Sequence, residues 1–474
     1  MDGNPIRIYN SLTRRKENFV PIRENRIDIY VCGMTVYDYC HLGHARVMVA
    51  FDSVIRYFRY RGYKVRYVRN ITDIDDKIIK RANEMGESIQ SLTDRFIGFM
   101  NEDLDALSIV KPDHEPRATQ YIPEIIDMIS RLVEKGFAYA ADNGDVYYRT
   151  RMFENYGELS GENVDDLRVG ARVEPDEVKE DPIDFVLWKH SKPDEPKWPS
   201  PWGDGRPGWH IECSAMSTCL LGDHFDIHGG GRDLLFPHHE NEIAQSEGVS
   251  GGKFVNLWMH NGYLQINAEK MSKSLENFLT IREILDQDRD RIRIGEILRY
   301  VFLSSHYRSP LNYSDDSLKN ARLALRRIYM AIHKTEEIDI PAVAETDSRL
   351  CARFRAAMDD DFNTPDGLAV IFDCVRELNR AVKSDSLDRI GVLKNTLMEL
   401  AGSLGLANME PSRFLGVGGA FDDADDGIGQ LVMQREAARR ERDFATADRI
   451  RAQLTEIGVE IEDRPDGTTV WRRA

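Results

Sequence analysis

IDIYVCGMTVYDYCHLGHARVMVAFDSVIRYFRYRGYKVRYVRNI, residues 27–71, is the stretch that decides the fold. Its opening IDIYV (27–31) is a short apolar run, the pattern of a strand buried on both faces. From His41 onward the apolar residues recur at helical spacing as far as Gly62, a helix stop. KVRYVRNI (64–71) then returns to a strand pattern. Strand, glycine-containing turn, helix and strand form a βαβ unit, so the chain predicts an α/β fold with a Rossmann-like parallel sheet.

Outward from this unit, 118–135 reads as an amphipathic helix stopped at Gly136, and FAYAADNGDVYYRT (137–150) as a hairpin turning at Asn143–Gly144. Residues 150–208 look irregular and charged. The sheet pattern resumes near Trp209 and ends near Asn277, so 115–205 is expected to be an insertion between sheet halves 1–114 and 206–279. Beyond 280 the pattern is helical, at 290–304, 315–336, 346–357 and 365–403, which divides into regions 280–345 and 346–412. The glycine- and aspartate-rich segment within 413–430 reads as a linker. A module at 431–474 follows, with helices at 431–442 and 444–457 and a hairpin around Asp466–Gly467.

A chain of 474 residues is too long for one core and suits about three domains. No apolar stretch is long enough for a membrane span, and the N-terminal residues lack a signal-peptide core. Six scattered cysteines make no disulfide framework and fit a reducing cytoplasm. A net charge of −17 argues against DNA, and any RNA contact must come from local patches.

Three constellations carry chemistry. His41-Leu42-Gly43-His44 opens the first helix, where unpaired N–H groups and the dipole favour phosphate; two helix-capping histidines with no ligand are the plainer alternative. Lys270-Met271-Ser272-Lys273-Ser274 places two cations around small hydroxyls, suited to a triphosphate or to solvated surface. Cys32, Cys213, His238 and Glu242 offer two thiolates, an imidazole and a carboxylate from three segments, a donor set for zinc. A structural zinc, or buried cysteines without metal, stays open. The chain has no C-x₂-C pair, and Cys32 lies nine residues before His41; both favour a metal beside the substrate.

HLGH resembles the HIGH signature of the class I aminoacyl-tRNA synthetases, with Leu42 in place of the usual isoleucine, and KMSKS matches their second signature. Together with MTVYDYCHLGHAR, NITDIDDKI, GWHIECSAM and HGGGRDLLFPHHENE, the chain resembles the cysteinyl-tRNA synthetases from about residue 5 to 474. The resemblance implies activation of L-cysteine with ATP and Mg²⁺, transfer to tRNA-Cys, and a Zn²⁺ that selects the thiol. It implies catalytic roles for His41, His44, Lys270 and Lys273. Nucleotide contacts fall to Gly43, Gly229, Gly230, Asp233, Met271, Ser272 and Ser274, and substrate contacts to Gly33, Thr72 and Trp209. In the tail, where nine arginines balance nine acids from Arg435 to Arg473, it points to Arg439, Asp448 and Asp463 as anticodon readers, with Trp471 stacking or packing. Regions 280–345 and 346–412 become stem-contact and tRNA-binding helices, and the acids of DDDFNTP (359–365) are expected to cap helices. A cytoplasmic monomer is expected. The rival readings are a ligase joining cysteine to an amino sugar, which lacks the C-terminal module, and a non-catalytic zinc- or RNA-binding relative.

Overall fold

The computed structural model describes residues 5–163, 178–193, 195–267, 269–270, 278–336, 338–340, 345–416, 431–432, 434–436, 438–439, 443–463 and 469–473. The chain forms two compact units, residues 1–317 with 353–368 and residues 318–352 with 369–474. Among the described residues no helix is long and apolar enough to cross a membrane.

The first unit is built on a four-stranded parallel sheet. Strand β1 (Arg26–Thr35) leads through α1 (Leu42–Tyr60) to β2 (Lys64–Thr72). Later in the chain, α2 (Trp209–Leu221), β3 (Phe225–Gly231), α3 (Glu240–Ser250) and β4 (Val255–Asn261) complete it, in the order β2-β1-β3-β4. Strand β1 therefore has its sequence neighbour on one side and a strand from nearly 200 residues later on the other. That seam is a topological switch point, where parallel sheets open a crevice at their carboxyl ends. In register, Val31 of β1 faces Gly229 of β3, and Gly230 and Gly231 face His260 and Asn261 of β4.

The insertion is more regular than its sequence suggests. Ala138–Ala140, Val146–Tyr148, Phe185–His190 and Gly205–Pro207 form a four-stranded antiparallel sheet, so two strands lie in the stretch read as irregular. Its core, with Ile125, Ile129, Leu132, Val146, Leu187 and Trp188, continues into Ile211 and Ala215 of α2 and Ala244 of α3. The insertion thus shares hydrophobic contacts with both helices of the second sheet half.

Charged residues brace the same unit. Arg299, on the helix Arg291–Leu303, is fully buried against the carboxylate of Asp52 in α1, which also takes Arg56 Nε at 2.7 Å and Val110 N–H at 2.6 Å. The three acids of DDDFNTP are ion-paired rather than helix caps. Asp359 holds Arg61 and Tyr57, Asp360 holds Arg7 and Lys16, and Asp361 holds Arg308, Tyr307 and the Tyr9 N–H. The capping role falls to Asn363, whose Oδ1 accepts from Asp366 N–H.

The second unit is mainly helical. The pattern expected as one helix over 365–403 is two, Thr364–Lys383 and Leu387–Gly402, parted where Asp385 turns left-handed at φ 52°. At its C-terminal end the helix Phe444–Glu456 packs on the antiparallel pair Val459–Asp463 and Thr469–Arg473. Val432, Ile450, Leu454 and Val459 make that small core, and Trp471 packs against it.

Candidate active site

At the seam, alternation along β1 turns Cys32 to the same side as Tyr30, and the chain kinks at Gly33. A Cβ on Gly33 would stand 1.7 Å from the carbonyl oxygen of Asn70 in β2. Instead the Gly33 N–H donates to Asn70 Oδ1 at 2.8 Å, and Asn70 Nδ2 reaches Thr72 Oγ1 at 3.4 Å. Cys213 comes from the second turn of α2. A wide turn over Leu235–His239 delivers His238 one turn before Glu242 of α3.

The ligand atoms of Cys32, Cys213, His238 and Glu242 all lie within 4.8 Å of one another, and all four residues are buried. Cys32 Sγ stands 3.8 Å from Cys213 Sγ and 3.5 Å from both His238 Nε2 and Glu242 Oε1, and those last two are 3.0 Å apart. A tetrahedral zinc with ordinary bond lengths has edges of about 3.8 Å for S–S, 3.6 Å for S–N and S–O, and 3.4 Å for N–O. The donor set and the three sulfur edges therefore fit a four-coordinate metal of the zinc kind, while the N–O edge, an ion pair at 3.0 Å, is shorter than tetrahedral. A second quartet, Cys32, His228, His239 and Glu242, shares two of these residues.

The electrostatics fit a site that expects a cation. Burial pulls His238 down, but Glu242 and Cys213 outweigh it and push it up to about 10. Burial raises Glu242, but His228 and His238 bring it down to about 2. The hydrogen bond from Cys32, acting against burial, lowers Cys213 to about 6, while burial and then Cys213 raise Cys32. Two thiols thus sit beside a protonated imidazole and a carboxylate, an anionic cluster that favours a positive charge among its members. Metal ligands are usually steadied by outer partners. Here His228 Nε2 meets Glu242 Oε2 at 2.9 Å and His210 Nδ1 meets His238 Nδ1 at 3.0 Å, while His239 Nδ1 pairs with His260 Nε2 at 2.7 Å.

Around this quartet lie the other predicted residues. Trp209 is 39% exposed and tilts over the His238 ring at 4.3 Å, which makes it a wall of the crevice rather than a core aromatic. Thr72 ends β2 almost fully buried. Gly229 and Gly230 lie near the end of β3; side chains there would strike the rings of Phe51 and His239, so packing alone requires both to be small. Asp233 is exposed in the turn that follows.

His41 caps α1, and Gly43 lies in its first turn. His41 Nδ1 accepts from His44 N–H and His44 Nδ1 accepts from His41 N–H, both at 3.3 Å, with the rings stacked at 3.6 Å. Burial, then the charge of His41, holds His44 well below its ordinary pKa. With Nδ1 used as an acceptor, a neutral ring carries its proton on Nε2, so the pair presents two N–H donors. The capping alternative raised for these histidines is therefore real, and it is compatible with phosphate binding.

Lys270 closes a short strand, Glu269–Lys270; Met271, Ser272, Lys273 and Ser274 lie outside the described residues. The chain returns beside HLGH: Leu42 N–H donates to Leu279 O at 3.0 Å, Ile281 N–H donates to Cys40 O at 2.8 Å, and the Phe278 ring meets His41 at 4.9 Å. Residues 278–281, downstream of the second signature, are thus anchored to the first.

In the C-terminal module Arg439 and Asp463 pair with each other at 2.6 Å, and Asp463 also holds Arg435. Asp448 is exposed on the helix Phe444–Glu456. The sequence pattern did not single out Tyr30, Asn70 or His228. Tyr30 sits two residues from Cys32 on one strand face, and that period was the available signal.

Three family models match this chain: the class I (C) tRNA synthetase catalytic domain over 18–323, the DALR domain over 353–408, and the cysteinyl-tRNA ligase anticodon-binding domain over 422–472. A cysteine–tRNA ligase of Alkalilimnicola ehrlichii is 58% identical over 99% of this chain and 100% of its own length. One from Cupriavidus taiwanensis is 56% identical with the same coverage. Among solved structures, a Mycobacterium tuberculosis methionyl-tRNA synthetase with methionyl-adenylate superposes with a TM-score of 0.55 at 15% identity, covering 80% of this chain and 89% of that one, a likeness of fold.

Proposed function

The chain belongs to the cysteine–tRNA ligase family, which activates cysteine with ATP and charges tRNA, and we propose that here a zinc ion on Cys32, Cys213, His238 and Glu242 selects the thiol. The observation that carries this reading is the match of the quartet's sulfur edges to tetrahedral zinc edges at the sheet seam, beside Trp209 and a short chain distance from HLGH. Zinc, when bound, supplies a borderline-soft cation that accepts a thiolate far more readily than a hydroxyl.

The chain's own residues do the rest. Thr72, Trp209 and the Gly33 backbone line the cysteine pocket. Gly43, Gly229, Gly230 and Asp233 border the nucleotide. The cysteine carboxylate attacks the α-phosphorus of ATP in line, with Mg²⁺ on the phosphates. The Nε2–H groups of His41 and His44, together with Lys270 and Lys273, meet the charge that develops on departing pyrophosphate, while Met271, Ser272 and Ser274 border the nucleotide. No side chain has to act as nucleophile; positioning and electrostatics set the rate. The terminal ribose hydroxyl of tRNA-Cys then takes the cysteinyl group and releases AMP.

The module from 431 would read the anticodon, and in that reading Arg439 and Asp463 exchange their mutual ion pair for base contacts while Asp448 offers a further acceptor. The segments 280–345 and 346–412 would meet the tRNA body. We place the protein in the cytoplasm as a monomer. The amino-sugar reading is not favoured, because the anticodon-domain match and full-length relatives account for the C-terminal end. Cysteine-dependent pyrophosphate exchange followed by transfer of labelled cysteine to tRNA-Cys tests the whole assignment. Exchange without transfer would redirect it to the amino-sugar reaction, and absence of both would leave a binding protein.

A further inference from the structure

We propose that Arg282 is a positioning residue for the phosphate-facing histidines, clamping the turn that carries His41 and His44 onto the helix Ile89–Ala106. This rests on the role given above to those two histidines and names the group that holds them in place.

The turn from Tyr39 to Leu42 is edged by a second piece of chain, with His41 and Thr280 opposite each other in a short antiparallel bridge. Its two hydrogen bonds, from Leu42 N–H and Ile281 N–H, make the place of His41 depend on the place of residues 278–281. That piece is itself fixed by a capping box. Thr280 Oγ1 accepts from Glu283 N–H at 3.2 Å, and Glu283 Oε2 accepts from Thr280 N–H at 2.7 Å. Arg282, inside the box, then reaches across to the helix Ile89–Ala106. Its Nη2 donates to Glu102 Oε2 at 2.7 Å, to Asp103 Oδ1 at 3.1 Å and to the Phe99 carbonyl at 3.2 Å. Its guanidinium also stands 4.5 Å from the centre of the Phe99 ring and 5.4 Å from that of Tyr39, and those two rings pack on each other at 5.1 Å.

One cation therefore grips the turn from both sides, through the Tyr39 ring before His41 and through the backbone of Ile281 beside it. The grip is firm because Asp103 is fully buried, and a buried carboxylate that loses its cation is costly. The charge of Arg282 is already taken by Glu102 and Asp103, so it acts on the histidines and not on the phosphates. His41 and His44 each spend Nδ1 on the other's backbone N–H, so the direction of both Nε2–H groups follows the backbone of this turn. Donors aimed at developing charge work by being in place beforehand. A displacement of about 1 Å can cost ~10²-fold in rate.

The test measures cysteine-dependent pyrophosphate exchange at saturating ATP in Arg282→Met, with metal content read by elemental analysis. The kcat is expected to fall by ~10–100-fold, while the KM for cysteine and the metal content stay within about 2-fold of the parent. Arg282→Lys keeps a cation beside Glu102 and Asp103 and is expected to recover part of the loss. A folded Arg282→Met protein with kcat within about 3-fold of the parent overturns the proposal. So does a fall in kcat matched by an equal rise in the cysteine KM and by loss of metal, the mark of general damage to the fold. His44→Asn separates the two readings: parent-like exchange in that variant brings down the phosphate role first and this proposal with it. Should Arg282→Met fail to fold, Tyr39→Leu decides the matter, at a position already 37% exposed. The same split between kcat and the cysteine KM supports the clamp, and an unchanged kcat overturns it.

Discussion

Replacing Gly33 by alanine adds one methyl group at the point where β1 and β2 lie closest, and the structure sets the size of the result. The new Cβ would stand 1.7 Å from the Asn70 carbonyl oxygen, 2.8 Å from its carbon and 3.5 Å from the Arg69 side chain. Ordinary contact with a backbone oxygen needs about 3.3 Å, so the strands must part by roughly 1.5 Å, and neither neighbour is a flexible side-chain end. Overpacking of this kind destabilises by about 1–3 kcal/mol. The functional loss should be larger. Cys32 precedes Gly33, Thr72 follows Asn70 by two residues, and metal sites tolerate ligand errors of only ~0.2 Å. A 1 Å misplacement alone can cost ~10²-fold in rate. We therefore expect Gly33→Ala to lose most of its zinc, measured by elemental analysis, and at least ~100-fold in kcat/KM for cysteine by pyrophosphate exchange. Gly98→Ala is the control: no atom lies within 4 Å of its Cβ, on a helix, and it should be neutral or stabilising by up to ~1 kcal/mol. One metal per chain and exchange within ~3-fold of the parent in Gly33→Ala would refute the reasoning.

Cys213→Ser should lose zinc and reduce cysteine-over-serine discrimination to the ~10²-fold or less that a metal-free pocket achieves; full zinc with unchanged discrimination would sink the proposed quartet. Arg299→Met leaves Asp52 buried with only Arg56 and the Val110 N–H, so the first unit should lose about 3 kcal/mol, near the low end for a broken buried pair, as read by urea unfolding. Asp463→Asn should slow transfer to tRNA and leave pyrophosphate exchange unchanged; equal losses in both assays would place Asp463 outside the tRNA contact. Arg435 holds the Asp463 carboxyl down at about 2, below its ordinary 3.8. Its contribution to stability is therefore fully present above about pH 4 and fades as pH falls through 2, and a melting curve of the Asn variant should lack that loss.

The β1-α1-β2 unit was legible because apolar period and glycine placement agree over forty-odd residues. The inserted sheet was not, because two of its strands past residue 150 are six and three residues long and the last is Gly-Arg-Pro. Short pieces of that kind carry too little alternation to read. The break in the helix expected over 365–403 falls at Lys383-Ser384-Asp385-Ser386, which contains neither glycine nor proline; a left-handed aspartate does the work unannounced. At the site, residue types pointed to Cys32, Cys213, His238 and Glu242, whereas their distances depend on strand register and helix phase across 210 residues. The acids of DDDFNTP misled because capping is a local habit, and their arginine partners are 298, 353 and 53 residues away. Trp209 could not be placed from its own neighbours, since being half-exposed over an imidazole is a tertiary fact.

The separation of 181 positions between Cys32 and Cys213 would also fix when the proposed metal can arrive during synthesis. At ~5–20 residues per second a ribosome needs about 10–40 s to pass from one to the other, and longer to reach Glu242. Throughout that interval Cys32 is a lone thiol with no chelating partner. In the proposed quartet the metal would be a late-closing clasp across the chain, its ligand set completed only after the inserted sheet that shares a core with α2 and α3 has been synthesised. On the proposed quartet, zinc supply would set the yield of finished enzyme as well as its selectivity, since an ion that binds only the native fold draws the folding equilibrium toward it.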